Sequence, residues 1–490
     1  MLFNSLEFML FFPIVALCYF IIPHKLRYLW LLFASYYFYM CWNAQYALLM
    51  ASSTVFTWLG GLIISRARNT KIKKAAVGVN FVVNLAILFF FKYFGFTVDN
   101  INAVLALLNL NPIQPGFDII LPVGISFYTF QALGYTVDVY RGDIKHEKNI
   151  LRYALFVSFF PQLVAGPIER SKNLLIQLKE KHYFNYDRVA NGLVLMLWGY
   201  FLKLVIADRA AIAVDTVYNN IPSYFGIHFI IATFLFSIQI YCDFASYTTI
   251  ARGCARVMGF ELMDNFNVPY LSKSISEFWS RWHISLSTWF RDYLYIPLGG
   301  NRKGTLRKYI NLMIVFITSG LWHGASWNFV IWGLLHGIFR VVGEAGKNTR
   351  KLFCSLADID RDTPWYQAFQ IIFTFILVMF AWIFFRADTL QNALFIIRKI
   401  FLDTRLWLIT DSAFKNIGLD TPNILLLFAS IAVLAFFDAL KFKNISIAKK
   451  LADMHIVLRY TLILSLLFAI LIFGIYGPGY NVSQFIYFQF

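Results

Sequence analysis

The sequence predicts an all-α polytopic membrane protein with about 10–12 transmembrane or re-entrant helices. Three observations predict this class. Of the 490 residues, 59% are hydrophobic and only 14% are charged. The mean hydropathy is +0.62, and apolar runs of about 20 residues recur along the chain. A soluble domain of this size could not keep such a surface hydrated.

The charge of the chain fits a membrane protein better than a nucleic-acid-binding protein. The formal net charge is +17, but the Lys and Arg residues stand in short groups between the apolar runs. Cytoplasmic loops of inner-membrane proteins have this distribution. We therefore expect a multi-pass protein of the cell inner (cytoplasmic) membrane, in contact with membrane lipids and without a nucleic-acid partner.

Apolar runs define the predicted helices in order. Runs of spanning or near-spanning length begin near residues 2, 28, 44, 75, 187, 227, 309, 364, 421 and 457. The first lacks a basic leader and a small-residue cleavage site, which favours a retained span over a signal peptide. Two further runs, 118–140 and 153–165, are interrupted or short and are interpreted as re-entrant segments. Such segments need protein or a water-filled cavity around them, so they predict a central cavity.

The distribution of basic residues predicts the orientation of the first two-thirds of the chain. No Lys or Arg lies between Lys92 and Arg141, or between Arg209 and Arg252, so these two loops should face outside. The basic groups that should face the cytoplasm are 66–74, 141–152, 170–188 and 252–308. Beyond Arg386 the basic residues are spread too evenly to assign a side.

The whole chain, 1–490, is predicted to be a single membrane-embedded domain, in which 252–308 is a cytoplasmic or interfacial amphipathic region. Its interleaved aromatic and basic residues predict an amphipathic helix at the headgroup level, on which His283 and Ser287 share one face. A neighbouring face then carries Trp282, Ser285, Trp289 and Asp292. The plainer interpretation is an aromatic belt with hydrogen-bonding partners.

Residues 309–339 contain no Asp, Glu, Lys or Arg but include His323 and His336. As a helix this run would reach ~46 Å, beyond a ~30 Å hydrocarbon core. It is therefore one long tilted helix or a pair broken near Gly320 and Gly324. An unbroken helix would separate the two histidines by ~20 Å, so they could not act together, and His336 would be the core residue. An imidazole at membrane depth is a functional-site hypothesis, with a hydrogen bond between packed helices as the alternative.

The residue types in these two regions are compatible with acyl transfer to a hydroxyl, although taken without any family resemblance they favour a membrane transporter. The histidines lack metal-ligand spacing and the five cysteines lack a C-x-x-C motif, so we expect neither a metal site nor a disulfide framework. A Ser/His/Asp triad lacks its G-x-S-x-G turn. His323 could serve as a base or as a transient acyl acceptor, while Trp322, Trp327 and Asn328 could supply N–H donors and walls.

Four stretches resemble the membrane-bound O-acyltransferase family, in particular its bacterial polysaccharide O-acetyltransferase branch, typified by the alginate enzyme. They are 160–170 (FPQLVAGPIER), 278–302, 319–336 (beginning SGLWHG) and 485–490 (FIYFQF). The resemblance implies that His323 is the essential histidine. It also implies that His283 and Asp292 face the same channel, and that tilted helices surround a funnel or tunnel.

The resemblance further implies a reaction. An acetyl group passes from a cytoplasmic donor, with acetyl-CoA expected, towards hydroxyls of an exported polysaccharide. An extracytoplasmic partner acyltransferase and the polysaccharide export machinery are the expected partners. His323 would be catalytic with His283 beside it, Asp292 would help to position the donor, and Arg281 and Arg291 would bind its phosphates.

One departure from the family concerns 243–249. Members often have Asp-Phe-Ser-Gly-Tyr-Ser/Thr-Asp where this chain has DFASYTT, without the second carboxylate. The substitution bears on substrate identity more than on reaction type. Peptidoglycan O-acetylation, teichoic-acid D-alanylation and lipid acylation therefore stay open, as do a membrane transporter and a scaffold in an export complex.

Overall fold

The computed structural model describes residues 1–116, 120–164, 166–411 and 413–477. These residues form helices and no strand, which confirms the predicted all-α class. The α-helices in chain order are α1 Leu6–Ile21, α2 His24–Met40, α3 Ala44–Arg66, α4 Thr70–Leu88, α5 Phe94–Leu107, α6 Ile125–Arg141, α7 Ile150–Ser158, α8 Phe160–Leu163, α9 Ser171–Gln177, α10 Tyr186–Tyr200, α11 Asp208–Tyr218, α12 Gly226–Met258, α13 Ile275–Arg281, α14 Ile284–Phe290, α15 Thr305–His323, α16 Trp327–Ala345, α17 Lys347–Leu356, α18 Pro364–Arg386, α19 Leu390–Leu402, α20 Leu408–Asp411, α21 Thr421–Phe442, α22 Ile447–Asp453 and α23 Ile456–Phe473.

Seven helical segments of the described chain are long and apolar enough to cross a membrane, and the bent pair α16 and α17 makes an eighth. The segments are Ala44–Arg66, Thr70–Leu107, Tyr186–Tyr218, Gly226–Met258, Pro364–Arg386, Thr421–Phe442 and Ile456–Phe473. Only 6% of the apolar window of Ile456–Phe473 is buried by protein. A helix this apolar and this exposed requires lipid around it, so the chain is a multi-pass membrane protein.

The chain forms two compact units, and the first comprises Met1–Met196 and Thr248–Met263. Its α7 has nine residues and would reach only ~14 Å, less than half of a hydrocarbon core. The buried helix α6 begins after Gly124, whose φ of 74° lies in the left-handed region. The run 118–140 is thus interrupted where Pro122 and Gly124 predicted, although residues 118, 119 and 165 of the two re-entrant predictions lie outside the described chain. The placement of these segments relative to the membrane stays a prediction.

The second unit comprises Leu197–Tyr247 and Asp264–Phe490. In it α15 and α16 form an antiparallel hairpin in which Gly320 and Gly333 lie face to face. A Cβ built on Gly333 would lie 2.3 Å from the carbonyl oxygen of Phe316 and 3.2 Å from the Cα of Gly320. The helix ends at His323 and the chain is extended at Gly324. Of the two alternatives that the sequence left open, a long tilted helix and a pair broken near the glycines, the structure has the broken pair.

The prediction of one amphipathic helix over 252–308 is wrong. Helix α12 ends at Met258, and two seven-residue helices, α13 and α14, follow an extended segment. They are separated at His283, whose φ of 43° is left-handed, so the expected shared face with Ser287 does not form. Tertiary burial explains the break, because Trp282 at the junction is only 1% exposed and each short helix buries its own aromatic side chains. The interfacial location of the region stays a prediction.

Candidate functional site

Two buried imidazoles from separate elements of the second unit lie close together. His323 is the last residue of α15 and His283 is the residue that precedes α14. Their side chains belong to residues that are 3% and 0% exposed, and their ring centroids are 6.4 Å apart. The structure thus brings together the two residues that were predicted to be catalytic, although 40 residues separate them along the chain.

Asn265 fixes the orientation of His283. Its Oδ1 accepts hydrogen bonds from the backbone N–H of Ser285 (3.1 Å) and from the Ser285 hydroxyl (2.9 Å), and it lies 3.2 Å from Nδ1 of His283. Because the backbone N–H can only donate, this amide atom is the oxygen and Nδ1 must be the donor. Burial lowers the pKa of His283 to about 3, so the ring is neutral at pH 7. Its Nδ1 carries the proton and its Nε2 is the basic nitrogen.

Aromatic rings surround His323. The ring centroids of Trp322, Trp332 and Phe385 lie 5.0, 5.0 and 5.4 Å from that of the imidazole. Trp332 is fully buried, and its indole N–H has no hydrogen-bond partner among the described residues. These walls keep water from the imidazole and place an indole donor close to it, which suits a site where negative charge develops on an oxygen.

His336 contacts the other side of this aromatic cluster. Its Nδ1 accepts a hydrogen bond of 3.2 Å from the indole of Trp279, and its ring lies 4.9 Å from that of Trp332. The ~20 Å separation calculated for an unbroken helix does not apply, because the helix breaks after His323 and the hairpin places both histidines against Trp332. With its Nδ1 occupied by an indole, His336 has the environment of a core residue.

The residues predicted to bind substrate have other contacts in the structure. Arg291 pairs with Asp292 at 2.9 Å, with side chains that are 61% and 30% exposed. Arg281 pairs with Glu277 at 2.8 Å. Asn328 donates its amide to the carbonyl oxygen of Ala387 at 2.5 Å and so ties the start of α16 to the end of α18. Substrate binding by Asp292, Arg281, Arg291, Trp322 and Asn328 stays a prediction.

A buried ion cluster lies next to the site and includes Asp243, the first residue of the segment that departs from the family pattern. Lys203 lies within a π-helical segment, Phe201–Ala207, and its Nζ lies 2.8 Å from Asp208 and 2.7 Å from Asp243. The residue after Asp243 is Phe244, whose ring lies edge-on to His283 with centroids 4.6 Å apart. Segment 243–249 therefore contributes a wall of the site.

Sequence reasoning missed four residues of this site as site residues. They are Phe244, Asn265, Trp332 and Phe385. Phe244 had a signal, since it adjoins the carboxylate in a segment that departs from the family. Trp332 stood in a stretch of resemblance but is an ordinary aromatic by type. Nothing in their spacing marks Asn265 or Phe385, because both reach the site through tertiary packing.

The arrangement can perform general base chemistry. A neutral imidazole can accept a proton from a hydroxyl near pH 7, and its low-dielectric surroundings strengthen each interaction with a developing charge. No group of three His, Cys, Asp or Glu side chains that could hold a metal ion occurs in the described part of the chain. The site therefore offers imidazoles and indole donors as its reactive groups.

Comparison with known proteins agrees with this chemistry. The model of the membrane-bound O-acyltransferase family matches residues 143–386, which include both imidazoles. The chain is 37% identical to the probable alginate O-acetylase AlgI of Pseudomonas aeruginosa, over 91% of this chain and 82% of the relative. It is 39% identical to that of Azotobacter vinelandii, over 80% and 76%.

A relative whose name specifies another glycan is about as similar. The peptidoglycan O-acetyltransferase of Helicobacter pylori is 37% identical over 81% of this chain and 79% of its own. Both kinds of relative are O-acetyltransferases by name, and they differ in the glycan. From this coverage and identity, the chain belongs to the membrane-bound O-acyltransferase family and is a membrane-bound O-acyltransferase.

Proposed function

We propose that this enzyme takes an acetyl group from acetyl-CoA on the cytoplasmic side of the bacterial cytoplasmic membrane and passes it towards hydroxyls of an exported polysaccharide. The observation that carries the proposal is the buried pair of His323 and His283, 6.4 Å apart between ring centroids. The names of the relatives support acetyl as the group and a glycan hydroxyl as the acceptor. Alginate, cellulose or another exopolysaccharide is the proposed acceptor class, with peptidoglycan as the alternative.

His323 acts as the general base in the proposed reaction. The acceptor oxygen attacks the thioester carbonyl carbon while His323 takes the hydroxyl proton. The new C–O bond forms, the C–S bond breaks, and the imidazolium returns its proton to the leaving thiolate. The indole N–H of Trp332 is the proposed donor to the oxyanion of the tetrahedral intermediate, because it is buried within the cluster and lacks a partner among the described residues.

His283 is proposed to act on the donor side of His323. Its Nδ1 is committed to Asn265, so Nε2 is the nitrogen that could accept a hydrogen bond or a proton. The ester formed at the acceptor hydroxyl would then give up its acetyl group to an extracytoplasmic partner acyltransferase, which passes it to the exported polysaccharide and works with the export machinery. The support for this partner is the likeness to alginate O-acetylases.

Arg291 is proposed to bind a phosphate of the donor. Its pair with Asp292 is largely exposed, and such pairs contribute less than about 1 kcal/mol, so the guanidinium can exchange partners. Arg291→Ala should raise the KM for acetyl-CoA several-fold with little change in kcat. Arg307→Ala, an exposed cation at the start of α15, is the matched control. An unchanged KM in Arg291→Ala would remove this role.

The test of the proposed function is the O-acetyl content of secreted and envelope glycans in matched strains. A deletion strain is complemented with the wild type, with His323→Ala or with His336→Phe, at equal protein level in the membrane. We expect the deletion and His323→Ala to lose O-acetyl from one glycan, which identifies the acceptor, and His336→Phe to retain it. Full acetylation with His323→Ala would reject the mechanism and favour a transporter or a scaffold. Loss of ester-linked D-alanine instead would reject acetyl as the group.

A further inference from the structure

The first unit contains a cavity of about 290 Å³ at the connection between α1 and α2. All of its lining residues belong to Met1–Met196 and Thr248–Met263. The reactive imidazoles belong to the other unit, so this cavity is not part of the site described above. Its lining is rich in cations and tyrosines, which sets it apart from an ordinary packing defect.

The charges around the cavity are unbalanced. Four cationic side chains line it: Lys25, Arg27, Arg152 and Lys179. One carboxylate, Glu180, also lines it, and Glu147 pairs with two of the cations, at 3.4 Å from Arg152 and 2.6 Å from Lys179. Two positive charges are therefore left over. Within the described residues, Lys25 has no carboxylate partner.

Arg27 is held in place by neutral groups. It donates to the carbonyl oxygens of Ile22 (2.9 Å), His182 (2.6 Å) and Phe20 (3.2 Å), and its guanidinium lies 4.9 Å from the ring centroid of Tyr19. The carbonyl oxygens accept from three of its five N–H groups and leave its positive charge uncompensated. A half-buried guanidinium in this setting attracts an anion.

Arg152 has a similar arrangement on the other side of the cavity. Its guanidinium lies 5.3 Å from the ring centroid of Tyr28, which also lines the cavity. Its Nε is buried and has no hydrogen-bond partner in the described part of the chain, and the same holds for Nδ1 of His24. A guanidinium on an aromatic ring loses little freedom on binding, so two such groups form a preorganised anion site.

We propose that this cavity binds a phosphate group. A phosphate offers several acceptor oxygens and up to two negative charges, which match the two planar guanidinium groups and the two excess positive charges. The volume is far larger than one phosphate needs, and Leu31 and Leu155 provide an apolar wall for the rest of the molecule. Arg152 and Lys179 belong to the basic groups predicted to face the cytoplasm. Anionic phospholipid headgroups and phosphorylated cofactors are both present on that side.

Binding experiments on the purified full-length protein test the proposal and separate the two sources of phosphate. One arm titrates delipidated protein with phosphatidylglycerol, using phosphatidylcholine as the zwitterionic reference. The other arm titrates it with acetyl-CoA, acetyl-dephospho-CoA and inorganic phosphate. Lys25→Gln should weaken binding of the phosphate-bearing probe about five-fold, because it removes one charge near the headgroup level.

Two further variants complete the design. Glu180→Gln removes the negative charge of the cavity wall and should strengthen binding by about the same factor. Lys74→Gln, an exposed cation in the same unit but outside the cavity, is the matched control and should change nothing. Lys25 and Glu180 are both exposed, so their substitution should leave the fold intact, whereas Arg27→Gln removes three structural hydrogen bonds and needs a melting curve beside it.

The outcomes decide both the proposal and the source. Tighter binding of phosphatidylglycerol with these charge effects supports a lipid headgroup. Binding of acetyl-CoA that is weakened by Lys25→Gln, strengthened by Glu180→Gln and lost with acetyl-dephospho-CoA supports a phosphorylated cofactor in the cavity. If no phosphate-bearing probe distinguishes Lys25→Gln and Glu180→Gln from Lys74→Gln, the proposal is rejected. Since these readouts measure binding and not acetyl transfer, they do not depend on the proposed function.

Discussion

Replacing Asn265 by Ala should disable the site without touching either imidazole. Oδ1 of Asn265 receives the Ser285 N–H at 3.1 Å, the Ser285 hydroxyl at 2.9 Å and Nδ1 of His283 at 3.2 Å. Alanine removes all three acceptor contacts at once. The left-handed backbone at His283, with a φ of 43°, then loses the side chain that holds it.

The size of the effect follows from these contacts. A buried donor left without an acceptor costs about 1–3 kcal/mol. The hydroxyl can rotate to another acceptor, but the Ser285 N–H and the His283 ring cannot do so without moving the chain. The free energy of unfolding should therefore fall by about 2–6 kcal/mol. The His283 imidazole also loses the hydrogen bond that orients it, and the free energy of one such bond, applied to the barrier, should lower kcat about 10–100-fold.

The assay compares Asn265→Ala with Asn267→Ala, a substitution of the same type at an exposed residue two positions further along the same segment. Acetyl transfer is measured per folded protein in membranes that retain the proposed partner acyltransferase, with a thermal melting curve for each purified variant. We expect only Asn265→Ala to lose kcat and melting temperature, with the KM for the donor little changed. Wild-type kcat in Asn265→Ala, or an equal loss in Asn267→Ala, would refute the reasoning.

Three other substitutions test the packing around the site. His336→Phe leaves the buried indole N–H of Trp279 without its acceptor, so melting curves should show that the free energy of unfolding falls by about 1–3 kcal/mol. Acetyl transfer per folded protein should persist. A loss of transfer as deep as that of His323→Ala would contradict the core role of His336. Gly333→Ala should abolish accumulation of folded protein, because the new Cβ would lie 2.3 Å from a backbone oxygen. Gly343→Ala on the same helix places its Cβ within 4 Å of nothing and should be tolerated. Equal yields of the two variants in the membrane would show that the hairpin is not so tightly packed. Lys203→Met removes the cation that pairs with two buried carboxylates and should lower the free energy of unfolding by about 3–5 kcal/mol. Converting both carboxylates to amides in the same chain should restore the yield of folded protein. A yield that is not restored would contradict the proposed role of the ion cluster.

Much of the helical architecture was predictable because apolar length is a local property. Gly320 and Gly324 marked where a break in 309–339 could fall, with one long tilted helix as the alternative, and the structure has the break at Gly324. The same glycines have a second role that the sequence did not reveal. Gly320 meets Gly333 of the next helix, and this close approach turns the broken run into a hairpin.

The site was predictable in its histidines and not in its geometry. His283 and His323 were chosen from residue type and from family resemblance, which implied a shared channel, but the geometry of the pair depends on the left-handed backbone at His283. A helical repeat could not predict that conformation, because it is imposed by hydrogen bonds to Asn265, 18 residues earlier. The single-helix prediction for 252–308 was wrong for the same reason: each short helix follows the burial of its own aromatic residues.

Acetyl transfer by His323→Ala, measured beside His336→Phe, tests the central claim most directly. Wild type and both variants are compared at equal folded amount in membranes of the matched strains, which retain the proposed partner acyltransferase, and are supplied with labelled acetyl-CoA and the acceptor glycan that the strain comparison identifies. Loss of a general base predicts a rate at least about 100-fold below the wild type for His323→Ala, with His336→Phe within about 10-fold of it. A wild-type rate in His323→Ala, or a deeper loss in His336→Phe, would contradict the claim that His323 carries the chemistry.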